Sequence, residues 1–88
     1  MTRGLLIQKI EPQYPPLARA ARVQGDVVLS AVIDTNGQIT NPQLVSGHPM
    51  LVPAAIAAVK QWRYKPYLLN GQPVEVETTI TVIFSLSS

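Results

Sequence analysis

Few residues in this chain of 88 could carry covalent chemistry. His48 is the sole histidine, set in a Gly-His-Pro turn, and cysteine is absent. The lack of Cys removes disulfides, thiolate metal sites and a thiol nucleophile. A metal site needs several ligands, and no second one stands at useful spacing from His48, which reads as a surface residue. Asp26 and Asp34 flank one apolar stretch, and Glu75 and Glu77 alternate along another. Paired carboxylates can do acid–base work, but neither pair has a partner base. Glu75 and Glu77 read as solvated charges on a strand. The glycines are scattered rather than gathered into a phosphate-cradling loop. The expectation is a protein with no catalytic residues, no metal and no cofactor.

Two binding chemistries remain. The run Trp62-Arg63-Tyr64-Lys65-Pro66-Tyr67 interleaves basic and aromatic residues, as nucleic-acid surfaces do. Yet Trp62 completes an apolar helical stripe, Tyr64 and Tyr67 suit packing where the chain leaves that helix, and the net charge is only +2. A nucleic-acid module is therefore the weaker reading. The stronger one lies in Val74 to Leu86, VEVETTITVIFSL. Val74, Val76, Thr78, Ile80, Val82, Phe84 and Leu86 form one face; Glu75, Glu77, Thr79, Thr81, Ile83 and Ser85 form the other. That period of two marks a half-buried strand. A strand so long must take two neighbours in succession, bend, or leave an open edge that can accept another chain's backbone.

The elements that position this stretch can be read in order. Hydrophobic residues make up 47 % of the chain and charged residues 14 %, the balance of one folded domain with a modest core. No apolar run approaches the ~18 residues of a membrane span, so any anchor or export segment of the native protein is expected outside this chain. Residues 1–10 read as an arm, with Gly4 to Ile10 a short strand or an extended segment, and 11–86 as the domain. Pro12, Pro15 and Pro16 enforce an extended approach to a helix that Pro16 can start. Leu17 to Val23 reads as that helix, with Leu17, Ala20 and Ala21 on its docked face and Gly25 as its stop. Asp26 to Asp34 is a strand whose Val27, Leu29, Ala31 and Ile33 share a face. Thr35-Asn36-Gly37 is a tight turn. Gln38 to Ser46 returns, with Pro42 demanding a sheet edge or a bulge. Met50 to Trp62 is the main core helix, its Leu51, Ala55, Ala58 and Trp62 on one face beside Val52, Ile56 and Val59. Tyr67 to Leu69 then pairs through Asn70-Gly71 with the start of the final strand, whose later part pairs with Asp26 to Asp34. The fold class is α+β: a small antiparallel sheet of about three main strands plus a short hairpin strand, with two helices on one face. Val27, Leu29, Ile33, Val59 and Trp62 are the expected core anchors.

These motifs, taken together, resemble the TonB C-terminal domain family of Gram-negative energy transducers. The resemblance rests on Pro12-x-Tyr14-Pro15 before a short Ala/Arg helix, Gly25-x-Val27-x-Leu29, Asp34-x-Asn36-Gly37 and Leu44-Val45-Ser46-Gly47. It continues through Ala57-Ala58-Val59-x-x-Trp62-Arg63-Tyr64-x-Pro66 and the β-rich end, so that it runs from about Pro12 to Phe84. It implies a three-stranded sheet with Asp26 to Asp34 central. It also implies a periplasmic domain on a protein anchored in the inner membrane, working with ExbB and ExbD and the proton-motive force. Its partners would be outer-membrane receptors that import siderophores, cobalamin and similar nutrients. A receptor's TonB box would add as a strand beside the last strand, at Glu77, Thr79, Thr81, Val82, Ile83, Phe84 and Ser85. The segment Glu11, Pro12, Gln13 and Tyr14 would share the contact, and Arg63 and Lys65 could meet an acidic residue of the box. Three features depart from the family pattern: a longer Leu68 to Val74 stretch, Glu11 where glutamine is common, and the apolar arm. The same edge could instead serve a self-associating homodimer module.

Overall fold

Period-two alternation becomes strand where it is most sustained. In the computed structural model of the protein, which describes residues 6–86, the elements in chain order are β1 (Leu6–Gln8), α1 (Pro16–Ala20), β2 (Gly25–Ile33), β3 (Ile39–Ser46), α2 (Val52–Val59), β4 (Arg63–Tyr64), β5 (Tyr67–Leu69), β6 (Gln72–Val74) and β7 (Val76–Phe84). Strand β2 is the centre of an antiparallel sheet ordered β3-β2-β7. Its alternate residues Val27, Leu29, Ala31 and Ile33 are buried, with Ile80, Val82 and Phe84 of β7 on the same face. Leu51, Ala55, Val59 and Trp62 from around α2 and Ala18 of α1 complete this core. The domain is α+β, with both helices on the apolar face of the sheet, and all five expected anchors are buried.

The β2–β3 hairpin is set by Asp34, whose carboxylate Oδ1 accepts the Asn36 and Gln38 N–H groups at 2.8 and 2.9 Å. Gly37 sits at φ +82°, and a Cβ there would fall 1.9 Å from the Tyr64 carbonyl oxygen. The same approach lets the Tyr64 N–H donate to the Gly37 carbonyl at 2.8 Å, tying β4 to the hairpin. Strand β3 slips register twice against β2. Ser30 lies opposite Gln43 and Val32 opposite Thr40, so β3 spends an extra residue there. Asn41 takes φ 51° at that bulge and Pro42 follows it, so Pro42 sits both on an edge strand and beside a bulge.

Three expectations need correction. First, α1 is shorter than Leu17 to Val23, and its docked face is Ala18, fully buried, while Leu17 is 75 % exposed. The helix starts at Pro16, as that residue's fit to a first helical position predicts, and closes at Arg22, not Gly25. Arg22 adopts φ 59°, its N–H donates to the Arg19 carbonyl, and the Val23 N–H reaches back to the Ala18 carbonyl. That pair of bonds is a Schellman ending. Second, regular α2 spans Val52–Val59 rather than Met50 to Trp62, because turns with i→i−3 bonds tighten both ends. His48 supplies its start: Nδ1 accepts the Met50 N–H and the His48 carbonyl accepts those of Leu51 and Val52.

Third, Val74 to Leu86 is not one strand. A break at Glu75 separates β6, which pairs only with β5, from β7. The Asn70-Gly71 hairpin forms as expected, with φ of 53° and 80°, but as a separate two-stranded ribbon. Of the two forms expected for the arm, the short strand is the one seen, at Leu6–Gln8, where it pairs with β4. Gly4 and Leu5 lie outside the described residues.

Candidate functional site

The phase of the sheet decides what β7 offers. The Asp34 N–H donates to the Gln38 carbonyl at 2.9 Å, across the hairpin mouth. Backbone polar groups alternate sides along an antiparallel strand. Asp34, Val32, Ser30 and Val28 therefore turn their backbone toward β3, and Ile33, Ala31, Leu29 and Val27 turn theirs toward β7. In the unbroken β2–β7 register those last four face Val76, Thr78, Ile80 and Val82. The intervening residues Glu77, Thr79, Thr81 and Ile83 then aim their N–H and C=O groups away from β2. Among the described residues no strand pairs with that side. Their side chains lie on the outer face and are exposed, Ile83 at 68 %.

The expected edge residues thus divide. Glu77, Thr79, Thr81 and Ile83 carry the open backbone. Val82 and Phe84 spend theirs on β2, and their side chains are core. Ser85 lies past the strand's end, and the next residue, Leu86, is fixed by its N–H to the Gln24 side chain at 2.8 Å.

The proline segment lies beside this edge and is pinned there by Tyr14. Its hydroxyl donates to the Val23 carbonyl. Its ring meets Phe84 edge-on, with centroids 5.4 Å apart, and carries the Arg19 guanidinium at 4.8 Å. Glu11, Gln13 and Tyr14, with Pro15 and Pro16, form one wall of a groove against Pro53, Ala54 and Ala57 of α2. On their other side Glu11 and Pro12, with Lys9 and Trp62, face Thr81, Val82 and Ile83 across a cavity of about 130 Å³. The structure therefore brings the Tyr-Pro segment and the edge strand together.

Arg63 and Lys65 are placed differently. Arg63 belongs to β4, and its guanidinium Nη1 donates to the Trp62 carbonyl at 2.9 Å and the Lys60 carbonyl at 3.5 Å, at the end of α2. Lys65 is exposed just beyond β4. The cation that lines the cavity at β7 is Lys9, whose Nζ lies 5.6 Å from the Trp62 ring centroid. Lys9 was not legible from the sequence. What positions it is the Trp62 indole N–H, which donates 2.9 Å to the Ile10 carbonyl, 52 residues away. A buried Trp needs a partner for that N–H; the need was foreseeable, the partner was not. The Tyr64 side chain, buried beside Tyr67, has its phenol pushed above the ordinary range, chiefly by desolvation. No cluster of His, Cys, Asp or Glu suited to a metal occurs among the described residues, and no helix there is long and apolar enough to cross a membrane.

Fold and site together define a small α+β domain built around a three-stranded sheet whose β7 edge is unpaired and regular among the described residues, flanked by a proline segment. The family model for the Gram-negative bacterial TonB protein C-terminal matches residues 10–86. Protein TonB of Vibrio cholerae serotype O1 is 33 % identical over 85 residues, covering 94 % of this chain and 35 % of that protein. The solution structure of the Pseudomonas aeruginosa TonB C-terminal domain superposes with a TM-score of 0.79 at 25 % identity, covering 94 % of this chain and 86 % of that one. The TonB2 protein of Vibrio anguillarum gives a TM-score of 0.70 at 32 % identity, over 100 % of this chain and 86 % of the other. The chain belongs to the TonB C-terminal domain family. It spans about a third of the length of relatives such as the Vibrio cholerae protein.

Proposed function

We propose that this domain binds the TonB box of outer-membrane receptors by strand addition to β7, as the receptor-engaging part of a periplasmic, TonB-like energy transducer. In this reading the pull that it transmits derives from the proton-motive force through ExbB and ExbD, and the import served is of siderophore- or cobalamin-type nutrients. Contacts with ExbB and ExbD and an inner-membrane anchor would belong to parts of the transducer other than this domain. The observation that carries the reading is the one-sided pairing of β7, which leaves the backbone of Glu77, Thr79, Thr81 and Ile83 free to bond.

Magnitudes fit a releasable link. If ~6 backbone hydrogen bonds form at ~0.5–1.5 kcal/mol each, the gross gain is roughly 3–9 kcal/mol. Ordering a flexible box takes back about 2–5 kcal/mol. Micromolar or weaker binding follows, strong enough to engage and weak enough to let go.

The test is Thr81→Pro. A proline on the open side of an edge strand is compatible with the strand itself, yet it removes one outward N–H and places a ring where the incoming strand must lie. By calorimetry against a panel of TonB-box heptapeptides, the variant should bind at least about tenfold more weakly than the parent, while Thr81→Val binds normally. Parental affinity in the Thr81→Pro variant contradicts strand addition at β7. Sedimentation in parallel addresses self-association, since a dimer that persists unchanged with saturating peptide would assign the edge to assembly instead.

A further inference from the structure

We infer that the helix-free face of the sheet carries a subsite for one basic side chain of the added strand, with Glu77 as its anion. This rests on the strand-addition reading above. Ser30 and Val32 alternate with the buried Leu29, Ala31 and Ile33 of β2, so they point away from the helices. Ser30 lies between Gln43 of β3 and Thr79 of β7, and Val32 lies between Thr40 and Glu77. The β3 bulge at Asn41 falls between these two rows, and a bulge bends the strand that carries it. Here the sheet face holds a basin of about 470 Å³, with Ser30, Val32, Asn41 and Gln43 on one side and Glu77 and Thr79 on the other.

Charge and reach choose the occupant. Glu77 is the one charged residue among the described residues that line the basin. Hydroxyls of Ser30 and Thr79 stand near it, and the Asn41 and Gln43 amides, joined by a 3.4 Å hydrogen bond, form the far rim. A carboxylate accepts and does not donate, so the complementary occupant is a donor-rich cation, an ammonium or a guanidinium. An acidic occupant is repelled. Side chains opposite one another on neighbouring strands share a face. The added residues beside Glu77 and Thr79 therefore point to the basin's side of the sheet, starting one strand spacing, ~4.8 Å, outside β7. A short side chain ends there. The stem of a Lys or Arg lies across Thr79 and carries its charged head over the basin, and Glu77 is then close enough for a direct or a diagonal contact.

The prediction is positional. The best-binding heptapeptide of the panel is extended by a pair of alanines at each end, and each residue is replaced in turn by Arg and by Glu. At one position the parent domain should bind the Arg peptide about fivefold or more tighter than the Glu peptide, and the preference should shrink at high salt. Glu77→Gln should remove that preference and leave those at other positions unchanged. Gln43→Lys, which sets a cation on the far rim two strands from the peptide, should reduce it about twofold or more. A scan in which no position prefers Arg by more than about twofold overturns the subsite, as does a preference that survives Glu77→Gln. A preference that Glu77→Gln removes and Gln43→Lys leaves intact overturns the basin, because a bare cross-strand pair then accounts for it. Each of these results leaves strand addition standing if Thr81→Pro still weakens binding. Failure of Thr81→Pro to matter overturns strand addition, and the subsite with it.

Discussion

Arg22 shows most clearly what one residue can hide. It occupies the left-handed position that closes α1, at φ 59°, where a non-glycine residue bears about 1–2 kcal/mol of steric cost. Glycine is the usual occupant, so the sequence points to Gly25 as the stop. The true stop is fixed by the Arg22 and Val23 N–H bonds back to the Arg19 and Ala18 carbonyls, with Tyr14 bonding the Val23 carbonyl and Ala18 drawn into the core. Arg22→Gly should therefore stabilise the domain, net of glycine's greater unfolded-state entropy, by about 0.5–1 kcal/mol. That corresponds to a rise of a few degrees in Tm, roughly 4–8 °C per kcal/mol for a domain of this size. A fall in Tm would mean that the Arg22 side chain makes a stabilising contact that outweighs its strain. Tyr64 gives a pH test. Its pKa is raised by burial first and by the neighbouring Tyr67 second. The folded state holds the proton more tightly, so the stability that this represents is whole below pH ~10 and is lost as pH rises through the folded value. Alkaline titration by tyrosinate absorbance should show a late phase from Tyr64, and Tyr64→Phe should abolish it.

Among the elements, those set by local chemistry were legible and those set by distant pairing were not. Asp34 and Gly37 define the β2–β3 turn from within a few residues, and Asn70-Gly71 likewise supplies the two positive φ angles of a tight hairpin. The alternation in β2 and β7 carries the core face directly. The break at Glu75 was hidden, because the period of two continues through it while the hydrogen-bonding partner changes from β5 to β2. The partner of the arm was hidden too, since three residues of β1 contain no mark that they pair with β4. Gly37 joins both kinds of element. Its turn conformation is local, but the Tyr64 carbonyl fills the space where a Cβ would go. Gly37→Ala must therefore either part β4 from the hairpin or distort the turn. Urea unfolding should show a loss of at least about 3 kcal/mol, in the range reserved for core and backbone clashes. A loss below ~1 kcal/mol would mean that the approach of β4 is not a fixed part of the fold.

At the scale of the molecule, an elongated body of 49 × 22 × 19 Å carries one protected and one open margin. The β3 edge is broken by two bulges and Pro42, devices that discourage pairing with another chain. The β7 edge carries no such disruption: its register with β2 runs unbroken from Val76 to Phe84. That asymmetry, more than any one residue, is what favours β7 over β3 for the strand addition proposed above. The sequence could show that a long amphipathic strand ends the chain, but not which of its groups point outward. That phase depends on the bond between Asp34 and Gln38 across a different hairpin. Amide hydrogen exchange reads it residue by residue. In the free domain the Ile80 and Val82 amides should be protected, and those of Thr79, Thr81 and Ile83 should exchange rapidly. A saturating TonB-box peptide should slow those three and leave β3 as it was. Protection of Thr79, Thr81 and Ile83 without peptide, or peptide-induced protection elsewhere with none at β7, would contradict the account.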